Sequence, residues 1–273
     1  TFEKGTYTVK ARKITIKADN KTSIYGDQRV ELTYQVIEGN IVNNDKINIT
    51  LNTEASSTTN VGTYDITGTA TINDNYEITF EKGIYEITKR AITITANNAE
   101  SVYGEPRAEL GYTVSPENAL VNNDEIKNVQ YTTEVTNTTG IGTYSIGITA
   151  TISNNYAIDF VEGTYTVKAR KITVKADDKT SVYGNQRVEL TYQVTEGSIV
   201  NNDVITVALD TEASETSNVG TYDITGTATI NNNYEITFEK GIYEITKRAI
   251  TITANNAESV YGEPRAELGY TVS

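Results

Sequence analysis

Cysteine and histidine are both missing from the 273 residues of this chain. Without cysteine there is no disulfide framework and no thiol nucleophile, although the redox compartment stays unread, because many exported bacterial surface proteins also avoid thiols. Without histidine the usual general base is gone, and with both absent so are most transition-metal ligands. No run of 18 apolar residues occurs, so no segment reads as a membrane-spanning helix and no membrane insertion is expected. Basic residues are scarce as well, 23 against 36 acidic for a net charge of -13. A field of that sign repels phosphate, which argues against nucleic acid or an anionic membrane as partner. Any catalysis would have to use carboxylate pairs, yet the acidic residues are spread without a local cluster. No enzyme is expected, and no catalytic residue is assigned.

What the chain does have is repetition. Glu77 to Ser115 returns letter for letter as Glu235 to Ser273, 39 residues at an offset of 158. Tyr-Gly recurs at Tyr25, Tyr103, Tyr183 and Tyr261, with spacings of 78, 80 and 78, and Asn-Asn-Asp ends at Asp45, Asp124 and Asp203. Length alone suggests about two domains, but a period this regular overrides that prior. Alternate copies match better than neighbours, so the order reads A, B, A, B. The expected divisions are 1–12 as the closing strand of a preceding repeat, 13–90 (type A), 91–170 (type B), 171–248 (type A) and 249–273 as the first strands of a further type B repeat. The chain is thus expected to be a window on a longer array. A module this small buries only about 60% of the surface its unfolded chain exposes, so each should lean on its neighbours.

Within a module the pattern is that of strands. Ile14-Thr15-Ile16-Lys17-Ala18 alternates apolar and polar, as does Val30 to Val36, whose Val30, Leu32, Tyr34 and Val36 are expected on a core face. Tyr25-Gly26 reads as a turn needing positive φ at Gly26, and Asn43-Asn44-Asp45 as an Asx-rich turn. From Gly62, strands carrying Tyr64, Ile66, Ala70 and Ile72, then Tyr76, Ile78 and Phe80, lead to Glu81-Lys82-Gly83, which reads as a three-residue hairpin loop into Ile84 to Thr88. No 3.6-residue periodicity is sustained, so the expected fold is all-β: small antiparallel β-rich domains in tandem. Joints such as Thr88-Lys89-Arg90-Ala91 hold no Gly or Pro and pass from strand to strand, which predicts an end-to-end, elongated and monomeric rod whose repeats partner one another.

Taken in order, Tyr-Gly followed by Asp, Glu or Asn, then Val-Asn-Asn-Asp, then Val/Ile-Gly-Thr-Tyr, then the closing Asn-Tyr strand pair resembles the MBG domain of the Tyr-Gly-X type. The resemblance runs over essentially the whole chain. It implies a mostly-β module found in tandem in large secreted or cell-wall-linked bacterial proteins, often adhesins. An extracellular setting at the bacterial surface follows from the resemblance, and no catalytic residues come with it.

Three groups of residues merit weighing for chemistry. Asp45, Asp124 and Asp203, each behind two asparagines, offer oxygen ligands suited to calcium, but the spacing is not that of a dedicated loop and turn-making is the favoured reading. No other cofactor is implied. Lys17 could enter a Lys-Asn amide crosslink, although Lys17 and Lys175 give way to Thr95 and Thr253 in the B copies, and an exposed strand lysine is the commoner case. The 19 tyrosines could stack sugars, but most share parity with Ile, Val and Phe and read as structural aromatics. The leading expectation is a stalk or spacer that projects a terminal binding domain from the cell wall. The alternatives are weak, avid binding of a host glycan or protein by the repeats, and self-association through edge strands.

Overall fold

The computed structural model describes residues 1–273, and its regular elements are all strands. The chain forms two compact units. One comprises Thr1–Ala99, Glu109–Glu134 and Tyr144–Tyr165; the other comprises Glu100–Ala108, Val135–Thr143 and Thr166–Ser273.

The first unit opens with seven strands: β1 (Arg12–Ala18), β2 (Lys21–Ile24), β3 (Tyr34–Glu38), β4 (Asn48–Asn52), β5 (Gly62–Thr71), β6 (Tyr76–Glu81) and β7 (Gly83–Thr88). They make two sheets, ordered β3-β1-β6 and β2-β7-β5-β4. Alternation sets the core. Ile14, Ile16 and Ala18 of β1 are buried, as are Ile66 of β5 and Tyr85 and Ile87 of β7, one at every second position as a sheet with a covered face requires. Each buried isoleucine contributes about 1.5–3 kcal/mol by leaving water. The long β5 serves two partners: its first half, Gly62 to Ile66, runs antiparallel to β7, and its second half, Thr67 to Thr71, antiparallel to β4.

The tandem all-β organisation is as the periodicity predicts, but three details are corrected. The sheets are mixed: β1 is antiparallel to β3 yet parallel to β6, and β2 is parallel to β7. The expected hairpin through Glu81-Lys82-Gly83 does not form, because β6 belongs to one sheet and β7 to the other, with Lys82 at the crossing. Alternation along β6 and β7 is the same in either arrangement, so the pattern alone could not separate them. Gly83 is there for close approach and not for a left-handed bulge: a Cβ at this position would sit 2.6 Å from the Ala18 carbonyl oxygen. Finally, Val30 to Val36 is not a core strand. Regular pairing covers only Tyr34 to Glu38, and Val30, Tyr34 and Val36 are exposed. The Val30 amide is satisfied instead by the Tyr85 hydroxyl at 2.8 Å.

The plan then repeats. β8 (Arg90–Ala96), β9 (Ala99–Val102), β10 (Tyr112–Ser115), β11 (Lys127–Thr132), β12 (Gly142–Thr151), β13 (Tyr156–Val161) and β14 (Gly163–Lys168) follow. In the first unit β8 pairs with β10 antiparallel and β13 parallel, as β1 does with β3 and β6.

The second unit carries β15 (Arg170–Ala176), β16 (Lys179–Val182), β17 (Tyr192–Glu196), β18 (Thr206–Thr211), β19 (Gly220–Thr229), β20 (Tyr234–Glu239) and β21 (Gly241–Thr246), in sheets β17-β15-β20 and β16-β21-β19-β18. Ala176 from the first of these sheets clusters with Ile224, Tyr243 and Ile245 from the second, so the two sheets share one core. Last come β22 (Ile252–Ala254) and β23 (Tyr270–Val272), paired only with each other; Ile250, Ile252 and Leu268 remain exposed there.

Candidate functional site: the joint between repeats

Two kinds of turn recur. In the first, Asp27 N donates to the Ile24 carbonyl at 3.0 Å around Gly26, whose φ of 88° fits the third position of a type II turn and suits glycine. In the second, Asp45 N donates to the Val42 carbonyl at 3.0 Å around Asn43 and Asn44, with φ of 57° and 56°. That is a type I′ turn, and asparagine tolerates both left-handed positions. The same pair of positive angles recurs at Asn122 and Asn123 and at Asn201 and Asn202.

Within the first unit, the Tyr-Gly turn of one repeat meets the Asn-Asn-Asp turn of the next. Tyr25 donates its hydroxyl to Asp124 Oδ2 at 3.0 Å, and its ring stands edge-on to Tyr156, centroids 5.7 Å apart at 77°. Tyr156 accepts from the Val121 amide at 2.9 Å. Val121 covers Gly26 so closely that a Cβ on the glycine would lie 2.4 Å from its Cγ2. Arg90 ties the two repeats together: its backbone N donates to Asn155 O at 3.0 Å, its Nε to Tyr25 O at 2.8 Å, and its guanidinium pairs with Asp27. Asn155, itself buried, accepts from the Val61 amide at 3.0 Å and donates to Asn60 Oδ1 at 2.9 Å, while Asn122 Nδ2 donates to Ser57 O.

Within the second unit the same set assembles again. Tyr103 donates to Asp203 Oδ2 at 3.0 Å, and Tyr234 donates to that same oxygen at 2.9 Å. The Tyr103 and Tyr234 rings lie 5.6 Å apart at 77°. Val200 faces Gly104, where a Cβ would come within 2.3 Å. Arg170 donates from Nε to Tyr103 O at 2.8 Å and pairs with Glu105. Ile141 N donates to Asn233 Oδ1 at 2.9 Å, and Asn201 Nδ2 to Asn137 O at 3.3 Å.

One position serves as an internal control. Tyr183 sits in the same turn, closed by Asn185 N to Val182 O at 3.0 Å and bound by Arg248 Nε at 2.8 Å, but no Val-Asn-Asn-Asp segment covers it. It is 45% exposed, against 4% for Tyr25 and Tyr103. The turn therefore forms by itself, and the burial comes from the neighbouring repeat.

The joint also alters acidity. Burial pushes the Tyr156 phenol above its ordinary value; the Val121 amide on its oxygen pulls the other way, and the Asp124 carboxylate and Tyr25 add to the rise. Tyr234 is raised for the same reasons, first by burial, with Val200 opposing and Asp203 and Tyr103 adding. An ionised tyrosine beside a carboxylate in a water-poor site is unfavourable on both counts.

The calcium candidates thus have other occupations. Asp124 and Asp203 accept tyrosine hydroxyls across the joint, and Asp45 accepts from Tyr76 at 2.9 Å. No group of three or more candidate metal ligands gathers anywhere. Lys17 is half exposed and its Nζ lies 3.7 Å from Glu81 Oε2, the setting of a surface ion pair. Shallow clefts of about 540 Å³ occur at Thr133, Glu134, Tyr144 and Glu162 and, one repeat earlier, at Thr53, Glu54, Tyr64 and Asp65. A Lys82–Asp65 ion pair flanks the earlier cleft, and a Ser145–Glu162 hydrogen bond lies in the later one, so the two present different charge to a ligand. The sequence marks Tyr25, Gly26 and the Asn-Asn-Asp motif as turns but does not show that they meet. Arg90 is legible only as part of a strand-to-strand joint and Asn155 only as part of the Asn-Tyr pair; that both bind across the joint is not, although Asn-Tyr and the joint arginine recur from copy to copy.

No curated protein matches the chain. Among solved structures, Drosophila N-cadherin EC1-3 aligns over 84% of this chain and 98% of its own, at 9% identity and a TM-score of 0.25. Yersinia pseudotuberculosis InvD aligns over 61% of this chain and 63% of its own, at 14% identity and a TM-score of 0.21. Scores this low do not amount to a shared fold. The family profile of the MBG domain (YGX type), by contrast, matches three times in tandem, over residues 14–86, 92–166 and 172–244. Its eponymous Tyr-Gly-X is the turn that enters each joint, and the chain belongs to the MBG domain (YGX type) family.

Proposed function

We propose that these repeats are spacers in a bacterial cell-surface protein of adhesin type, extracellular, holding a terminal binding domain away from the cell wall. The observation that carries this reading is the joint, built twice from the same residues, with Tyr25 and Tyr103 each buried to 4% exposure by the following repeat. A spacer must pass orientation from one bead to the next. Here each joint is pinned by the tyrosine-aspartate bond, by the arginine that binds both sides, and by the buried asparagine or its counterpart. Three attachments off one line leave little freedom to bend, unlike a Gly/Ser linker. The rest of the surface, acidic and without a ligand cluster, suits solubility and self-repulsion.

Small-angle scattering of the whole chain, extrapolated to zero concentration, tests the reading. Three repeats end to end, each about the length of a ten-residue strand plus turns at ~3.3 Å per residue, give a maximum dimension of about 100–120 Å. A radius of gyration near the roughly 19 Å of a compact chain of this length would remove the proposal.

A further inference from the structure

The opening and closing strands of the first repeat run side by side in the same direction. Lys13↔Glu77 to Lys17↔Glu81 pair parallel between β1 and β6, and Lys21↔Tyr85 to Ile24↔Thr88 pair parallel between β2 and β7. The two stretches lie in different sheets yet keep one register. Every partner is 64 positions on, and so is the contact that spans the gap, Ile84 N donating to Asn20 Oδ1 at 2.8 Å. The crossing is tight, because Gly83 lies against the Ala18 carbonyl oxygen with no room for a Cβ. Lys13 to Ile24 and Glu77 to Thr88 therefore make one continuous parallel ribbon that changes sheet once.

The ribbon recurs. In the third repeat Lys171↔Glu235 to Lys175↔Glu239 and Lys179↔Tyr243 to Val182↔Thr246 hold the same register, bridged by Ile242 N donating to Asp178 Oδ1 at 2.8 Å. In the second, Ala91↔Ala157 to Thr95↔Val161 pair parallel, and Thr164 N donates to Asn98 Oδ1 at 2.8 Å. Asn20, Asn98 and Asp178 differ in charge; what they share is an acceptor oxygen at the crossing.

Parallel pairing fixes where the chain enters and leaves. Entry at Lys13 and exit at Thr88 fall at opposite ends of the ribbon, where an antiparallel pair would have brought them to the same end. Tension along the chain draws β1 backward and β7 forward, each along its own axis, and so shears the ribbon. The bonds of a parallel ladder are evenly spaced, so shear loads them together, whereas a pull across one end breaks them one after another. Both loaded strands are also central: β1 lies between β3 and β6, and β7 between β2 and β5.

We infer that each repeat is a tension-bearing element, in which the parallel ribbon acts as a shear clamp that keeps the fold closed when the chain is pulled from both sides. The inference deepens the spacer reading and rests on it, since a spacer that holds a binding domain must transmit any pull on that domain.

Single-molecule force spectroscopy of the full chain tests it. The protein has no cysteine, so attachment points can be set by substitution. Lys13→Cys with Lys89→Cys pulls the first ribbon in shear; Lys13→Cys with Glu77→Cys peels it from one end. The side chains of Lys13 and Glu77 are 82% and 62% exposed and Lys89 is exposed too, so the core is untouched, which an unchanged urea midpoint checks. Both pairs act on one fold of one stability, so a difference in rupture force at equal loading rate reports the barrier along each direction of pull. The expected result is a force several-fold higher in shear, in a single event that opens the whole repeat. Lys171→Cys with Lys247→Cys, against Lys171→Cys with Glu235→Cys, should give the same contrast in the third repeat. Equal forces in the two geometries, or stepwise yielding at low force in shear, would overturn the clamp. Found beside an extended scattering profile, that result leaves the spacer reading in place; a compact profile removes the spacer reading, whatever the ratio of forces.

Discussion

A single glycine carries much of the joint. Gly104 has φ of 81° and a virtual Cβ 2.3 Å from Val200 Cγ2, so an added methyl is resisted by the backbone angle and by the neighbour at once. Gly104→Ala is expected to destabilise the second unit by on the order of 2 kcal/mol, measured by urea unfolding. Gly262→Ala, with φ of 92° but open space around it, keeps the backbone cost and avoids the clash, and should lower stability less. Tyr103→Phe removes one of two hydroxyls donated to Asp203 and should cost about 1.5 kcal/mol. The tyrosines that open β13 and β20 add a pH dependence. Because the folded state raises the phenols of Tyr156 and Tyr234, the stabilisation they give is fully present below the unfolded value of about 10. It is lost as pH rises through the raised folded value. Phenolate absorbance at these two positions should therefore appear later than in a denatured chain, with stability falling in the same interval.

At the scale of strands, what the sequence displays depends on how far away the partner lies. Ile14, Ile16 and Ala18, or Tyr85 and Ile87, could be read because alternation is written within one strand, and Gly26 and Asn43-Asn44 because a turn is closed by its own residues. The assignment of β6 and β7 to different sheets leaves no local trace, since both strands alternate as a hairpin would. The joint is less visible still: Tyr25 and Asp124 are 99 positions apart, and each already had a sufficient local explanation as part of a turn. What distinguishes the crossing from a hairpin is chemistry at the glycine. At Gly241 a Cβ would meet the Ala176 carbonyl oxygen at 2.6 Å. In a left-handed bulge asparagine would be tolerated where alanine is not. At a backbone contact both should fail, so Gly241→Ala and Gly241→Asn are each expected to lower stability by about 2 kcal/mol, read from the denaturation midpoint. Tolerance of asparagine alone would restore the hairpin.

For the molecule as a whole, the two compact units each enclose one joint, so the joint and not the repeat is the piece that packs together. The compact units run through the middle copy of the duplication. The physical reason is the marginal core of a module this size, which makes nearest-neighbour burial a sizeable share of what holds it. A change confined to one joint should then be felt on both sides of it and not beyond. Tyr103→Ala removes the ring against Tyr234 and uncovers the hydrogen-bonded Asp203 carboxylate, a loss on the order of 3 kcal/mol. Hydrogen exchange should show faster amide exchange in β15 and β20 of the second unit, while β1, β5 and β7 of the first exchange as in the unaltered chain. If the protection lost were confined to the turn around residue 103, the repeats would be independent beads on a string. Loss spread evenly over both units would instead make the chain one cooperative block, in which a single defect melts every joint and not only its own.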